Sequence, residues 1–193
     1  MKTPSDPSGT PEASFGKTSS SPSTEAEEHR RLIAENDALI LSPDLDNGLA
    51  IVTERTAIFT RAIARWAAGQ QAAFGYERPF AVVATGGTGR GEVTPCSDLD
   101  IALLFEDDVE KEPCRAFVMA LQKGTVNGSD FRERYGFRFT AMPYGMADVP
   151  NLRDKDLNAF LDMAAIHDPD GLVERFRNRI RETFDPFEHF LHV

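Results

Sequence analysis

The residues best suited to chemistry lie between Gly86 and Asp100, in the run Gly-Gly-Thr-Gly-Arg-Gly-Glu-Val-Thr-Pro-Cys-Ser-Asp-Leu-Asp. Gly86 and Gly87 follow a short apolar segment, where any side chain would hold a ligand away from the backbone. Glycine also permits positive φ and lets successive main-chain N–H groups converge on an anion. Gly89, Arg90 and Gly91 extend the turn, and the Arg90 guanidinium adds a fork of donors suited to phosphate. A short helix starting here would aim its positive end at the same anion.

A ten-residue gap separates Gly87 from Asp98-Leu99-Asp100. On a strand, alternate residues share a face, roughly 6.5–7 Å apart at Cα. Both carboxylates then point the same way while Leu99 and Ile101 enter the core. Two acids so close perturb each other unless a cation lies between them. Hard oxygen donors beside a phosphate cradle suit Mg²⁺, which commonly takes one or two carboxylates plus substrate phosphates. In-line displacement at phosphorus is the matching chemistry. Rival glycine loops fail on spacing. A P-loop needs Gly, four residues, then Gly-Lys-Ser/Thr, and no lysine stands there. A dinucleotide fingerprint started at Gly87 or Gly89 meets Glu92 or Thr94 where its third glycine belongs. The remaining alternative is a plain turn leading into an acidic, solvated edge strand, but the combination of features is more specific than any one of them.

Several elements must position this block. Phe80–Thr85 is a mostly apolar run that reads as a buried strand, and Leu99, Ile101, Leu103 and Phe105 alternate along a second. Ahead of them, Thr24 and Glu27 form a capping box before Leu32, Ile33, Leu39 and Ile40 at helical spacing. Ser42-Pro43 predicts a restart, with serine as cap and proline in the first turn. Leu49, Val52, Thr56, Phe59, Ile63 and Trp66 give one apolar face to a long helix closed by Gly75 and Pro79. Further on, the pattern predicts a helix over 109–122 and a loop over Lys123–Asp130. A third strand, Phe137–Met142, is broken by Pro143, and helices follow over 154–166 and 170–183, separated by the turn Asp168-Pro-Asp-Gly171. The expected fold class is α/β (α+β): a small mixed sheet with flanking helices. Residues 1–23 read as a disordered Ser/Thr/Pro-rich tail, 24–75 as N-terminal helices, 76–150 as the core and 151–193 as a helical C-terminal segment.

Composition narrows the setting. The 193 residues are 41% hydrophobic and 27% charged, with 14 phenylalanines, which suits one ordinary domain. Asp plus Glu number 31 against 21 Lys plus Arg, a formal charge of −10, which argues against a nucleic-acid partner. Cys96 and Cys114 are too few for a disulfide scaffold and lack metal-type spacing; two free thiols fit a reducing, cytoplasmic setting. No signal peptide or membrane-spanning run is read in the sequence.

The block Gly86–Glu92, followed by Pro95–Asp100, resembles the N-terminal nucleotidyltransferase domain of the PII uridylyltransferase group and its relatives. That group carries Gly-Gly-x-Gly-Arg-Gly-Glu and then Pro-x-Ser-Asp-x-Asp. The similarity extends from about Arg55 to Arg179. It implies that Gly86, Gly87, Gly89, Arg90 and Ser97 serve the nucleotide and that Asp98 and Asp100 are catalytic and bind Mg²⁺. The implied reaction moves a nucleoside monophosphate from an NTP to an acceptor hydroxyl. In the uridylyltransferases that hydroxyl belongs to a tyrosine of a signalling protein. The fold pattern also wants a third acid on a later strand, where this chain has Phe137-Arg138-Phe139, with Asp130 and Glu133 nearby. An arginine cannot ligate a metal, so two expectations stand: an active transferase, or a nucleotide-binding regulatory pseudoenzyme. His167-Asp168 lacks the companion ligands of the group's phosphohydrolase domain and reads as a helix end. The C-terminal Phe184, Phe187, Phe190 and Leu191 read as a packing segment.

Overall fold

The computed structural model describes residues 22–42, 47–123, 131–132, 135–137 and 139–184. Residues 1–21 of the expected tail, the Ser42-Pro43 restart beyond Ser42, most of the 123–130 loop, Arg138, and the aromatic end after Phe184 lie outside them, while Pro22 and Ser23 belong to the first helix.

Two long helices come first: α1 (Pro22–Ile40) and α2 (Gly48–Phe74). Asn47 caps α2, its side-chain oxygen accepting from the Ala50 N–H, and Gly75 ends it in the left-handed region. The face α1 buries is Ala26, His29 and Asn36, with Ile33 packed beside them; Leu39 is exposed, contrary to the apolar-spacing expectation. Asn36 explains the choice of face. Its Nδ2 donates to the Ile51 carbonyl at 2.9 Å, and its Oδ1 accepts from the buried Arg55 at 3.2 Å. Arg55 also pairs with Asp37 and lies over the Phe59 ring, so polar bonds tie α1 to α2.

The sheet follows: β1 (Phe80–Ala84), β2 (Asp100–Phe105), β3 (Thr140–Gly145) and β4 (Ala164–His167), in the order β3-β2-β1-β4. β1 runs antiparallel to β2 and β4, while β3 lies parallel to β2. Every β1 side chain is buried, because the period of two feeds two cores. Phe80, Val82, Ala84, Ile101, Leu103 and Phe105 meet Ile63 and Trp66 of α2, and Phe117 and Leu121 of α4 (Cys114–Gln122). On the opposite face Ala81, Val83, Ala102 and Leu104 meet Phe160, Leu172 and Phe176. Each large apolar side chain so buried contributes about 1.5–3 kcal/mol.

Three expectations need correction. α4 begins at Cys114, five residues later than expected. Pro143 lies inside β3 and does not break it; β3 is an edge strand, where a missing N–H is tolerated. The helix expected over 154–166 stops at Leu161 as α5 (Asp154–Leu161), and Ala164–His167 pairs with β1 as β4. His167 therefore ends a strand, its Nε2 sharing a 3.0 Å hydrogen bond with Gln71 of α2. Asp168 accepts the N–H groups of Leu172 and Val173 and so starts α6 (Leu172–Thr183). Among the described residues, no helix is long and apolar enough to cross a membrane.

His29 makes one part of this core sensitive to pH. It packs among Phe59, Tyr135 and Phe137, and its Nε2 has no hydrogen-bond partner among the described residues. Burial, and then the charges of Arg30 and Arg61, lower its pKa from 6.5 to about 4. The unfolded chain therefore binds a proton that the fold refuses between those values. Stability contributed by neutral His29 is complete above pH 6.5 and falls by about 3 kcal/mol as the pH drops towards 4. Denaturant midpoints at pH 7.5 and 4.5 should show a smaller loss in His29→Leu than in the native chain; equal losses would refute this.

Candidate active site

The glycine turn forms where β1 leaves the core. Thr85 is extended and buried, and Gly86–Gly89 makes a single helical turn, α3. The turn grips the start of β2 at its main chain. The Thr85 N–H donates to the Asp100 carbonyl at 2.9 Å, and the Asp100 N–H donates to Thr88 Oγ1 at 3.0 Å. Thr88 is itself buried. Sequence reasoning missed both threonines; the signal was a hydroxyl residue set among glycines at the end of a buried strand.

Gly86 lies against the Asp100 carboxylate. Its φ is +51°, and an added Cβ would stand 3.0 Å from Asp100 Oδ2. A side chain here is thus doubly disfavoured, by backbone conformation and by the carboxylate it would push. Gly86→Ala should cost about 1–2 kcal/mol in unfolding free energy. Gly87→Ala, whose Cβ would meet only Arg90 Nη2 at 3.8 Å, should cost less. Urea midpoints compare the two, and equal effects would contradict the account.

Asp98 precedes β2 and Asp100 is its first residue, so the pair is not carried on one strand as expected. Both remain exposed, with Leu99 buried between them, and both line one cleft of about 530 Å³. That volume falls within the usual range for a small-molecule site, about 300–1,000 Å³. The rest of the lining includes Thr140, Met142 and Tyr144 of β3, with Thr140 paired beside Asp100, and Lys155 and Asp156 of α5. Tyr144 Oη donates to Asp156 Oδ1 at 3.1 Å. Burial, and then Asp156, push the Tyr144 hydroxyl up to about 12, so it stays protonated.

The other sequence-derived nucleotide residues are placed differently. Gly86, though it lies against the Asp100 carboxylate, does not itself line this cleft, and neither do Gly87, Gly89, Arg90 and Ser97. Arg90 donates to Glu92 at 3.0 Å and to Asp162 at 2.7 Å, and these bonds, Glu92 first, raise its pKa above the ordinary arginine range. Gly89 packs against the Asp162 main chain, so this side of the turn is joined to the junction of α5 and β4. Ser97 Oγ accepts from the Thr94 N–H at 3.0 Å and shares a 2.7 Å contact with the Thr94 hydroxyl. Cys96 is exposed.

Asp98 and Asp100 supply hard oxygen donors at the start of β2, where Gly86 leaves room beside Asp100, a set that fits Mg²⁺ held jointly with substrate phosphates. Among the described residues no three His, Cys, Asp or Glu side chains stand close enough to enclose a metal. Arg138, Asp130 and Glu133, which bear on a third acid, lie outside the described residues. Among the described residues, Asp98 and Asp100 are the carboxylates at the start of β2 that could share a metal with phosphate oxygens.

Comparison with curated proteins finds no match. Residues 48–126, from the start of α2 past both aspartates and α4, match the model of the family described as Putative nucleotidyltransferase DUF294, and this part of the chain is similar to a nucleotidyltransferase domain.

Proposed function

We propose that the chain transfers a nucleoside monophosphate from an Mg²⁺-bound NTP to an acceptor hydroxyl, releasing pyrophosphate. The observation that carries this reading is Asp98 and Asp100 on one cleft, with Gly86 directly beneath the Asp100 carboxylate. Asp98 and Asp100 would hold the metal, which when bound neutralises phosphate charge and orients the α-phosphorus for in-line attack. Thr85 and Thr88 fix the main chain of Asp100 and so set where its carboxylate stands. The exposed apolar side chain of Met142 offers a surface against which a base can lie.

Resemblance to the PII uridylyltransferases favours UTP as donor and a protein tyrosine as acceptor. Burying such a hydroxyl in this cleft brings it beside the same carboxylates. A second reading, a nucleotide-binding module with little turnover, rests on Arg138 standing in the sequence where the family pattern has a third acid, which would serve as base. Incubation with Mg²⁺, each labelled NTP and candidate acceptor proteins separates the two. Pyrophosphate release that disappears in Asp98→Ala and Asp100→Ala supports transfer. Tight NTP binding with no turnover under any acceptor would refute it in favour of the module. A cytoplasmic location belongs to the same proposal, carried by the two free thiols.

A further inference from the structure

Three carboxylates, Asp98, Asp100 and Asp156, line the cleft. A polyphosphate meets repulsion there unless cations balance it, and one divalent ion offsets only part of a triphosphate's charge. Arg90, the cation the sequence offered for this task, is held by Glu92 and Asp162 away from the lining. Among the described lining residues Lys155 is the single cation. It is exposed, and no carboxylate among the described residues is within ion-pair distance of it.

Its helix is fixed at two points. Tyr144 Oη bonds to Asp156, one residue along, and Arg90 bonds to Asp162, immediately beyond the end of α5. Lys155 therefore rises from a helix braced against both β3 and the glycine turn. A lysine on a braced helix, lining the same nucleotide-sized cleft as two metal-type carboxylates, is suited to phosphate oxygens that the metal leaves uncovered.

We propose that Lys155 binds the β- and γ-phosphates of the NTP, in the cleft it lines together with Asp98 and Asp100. This rests on the nucleotide-transfer reading, and the test separates the two. Binding to the intact chain is measured by calorimetry with each Mg²⁺-NTP and with the matching diphosphate and monophosphate. Lys155→Ala should weaken the preferred NTP about 10–100-fold, leave the monophosphate unchanged, and flatten the salt dependence of NTP binding. Lys155→Arg, which keeps the charge, should recover most of the loss. The proposal is overturned if Lys155→Ala leaves NTP affinity within threefold of native, or weakens NTP and monophosphate equally. A native chain that binds no NTP with Mg²⁺ would overturn the transfer reading as well. Native binding with an unaffected Lys155→Ala overturns the lysine assignment alone.

Discussion

Gly89→Ala is expected to destabilise the chain by about 3 kcal/mol, the upper end for overpacking, and to lower Tm by about 10 °C. The added Cβ would stand well inside van der Waals contact with the Asp162 carbonyl oxygen, 3.0 Å from the Asp162 carbonyl carbon and 3.1 Å from the Ala84 carbonyl oxygen. All three atoms are main chain, so no side-chain rotation relieves the clash. Either α3 lifts from the end of β1 or the α5–β4 junction moves outward, and both disturb Arg90 and its Asp162 partner. Gly69 on α2 is the comparison, because a Cβ there meets nothing within 4 Å. Gly69→Ala should be neutral or gain up to about 1 kcal/mol through helix propensity. Thermal melts of the two variants decide the matter; a Gly89→Ala chain as stable as native would mean that α3 does not pack as described.

Asp100→Asn should reduce NMP transfer at least about 100-fold while leaving stability close to native. The two effects separate because the contacts that fold Asp100 are main-chain ones, to Thr85 and Thr88, and the amide preserves them. Its carboxylate makes no ion pair among the described residues, so on the proposed reading neutralising it removes metal affinity and little else. Glu106→Gln is the control: Glu106 pairs with Arg175 outside the cleft, and transfer should persist. Radiolabelled transfer at saturating Mg²⁺, beside a urea midpoint, reads both quantities. Undiminished transfer in Asp100→Asn would remove Asp100 from the machinery.

The turn and its aspartates were legible in the sequence because their logic is local. Glycines after an apolar run, and acids flanking Leu99, declare themselves within fifteen residues. The long helix was legible for the same reason, through the spacing of Thr56, Phe59, Ile63 and Trp66. What escaped depends on distant partners. Met163-Ala-Ala-Ile reads as a continuing helix, since alanine favours one, yet pairing with β1 makes it a strand. Arg90 looks like a phosphate ligand until Asp162, 72 residues later, claims it. Lys155 and Asp156 sit in a charged run that resembles a solvated helix start, and only the fold brings them into one cleft with Asp98 and Asp100.

The strand order carries a consequence for autonomy. The family match spans 48–126, but β1 has β2 on one side and β4 on the other, while β2 needs β3. A polypeptide confined to the match would keep a lone hairpin with both hydrogen-bonding edges bare. Its Ala81, Val83, Ala102 and Leu104 would face water without α5 and α6 to cover them. Open edges beside an uncovered apolar face are a template for self-association. The matched segment and the cooperative folding unit therefore differ: the first carries the aspartates, and the second must reach at least to α6.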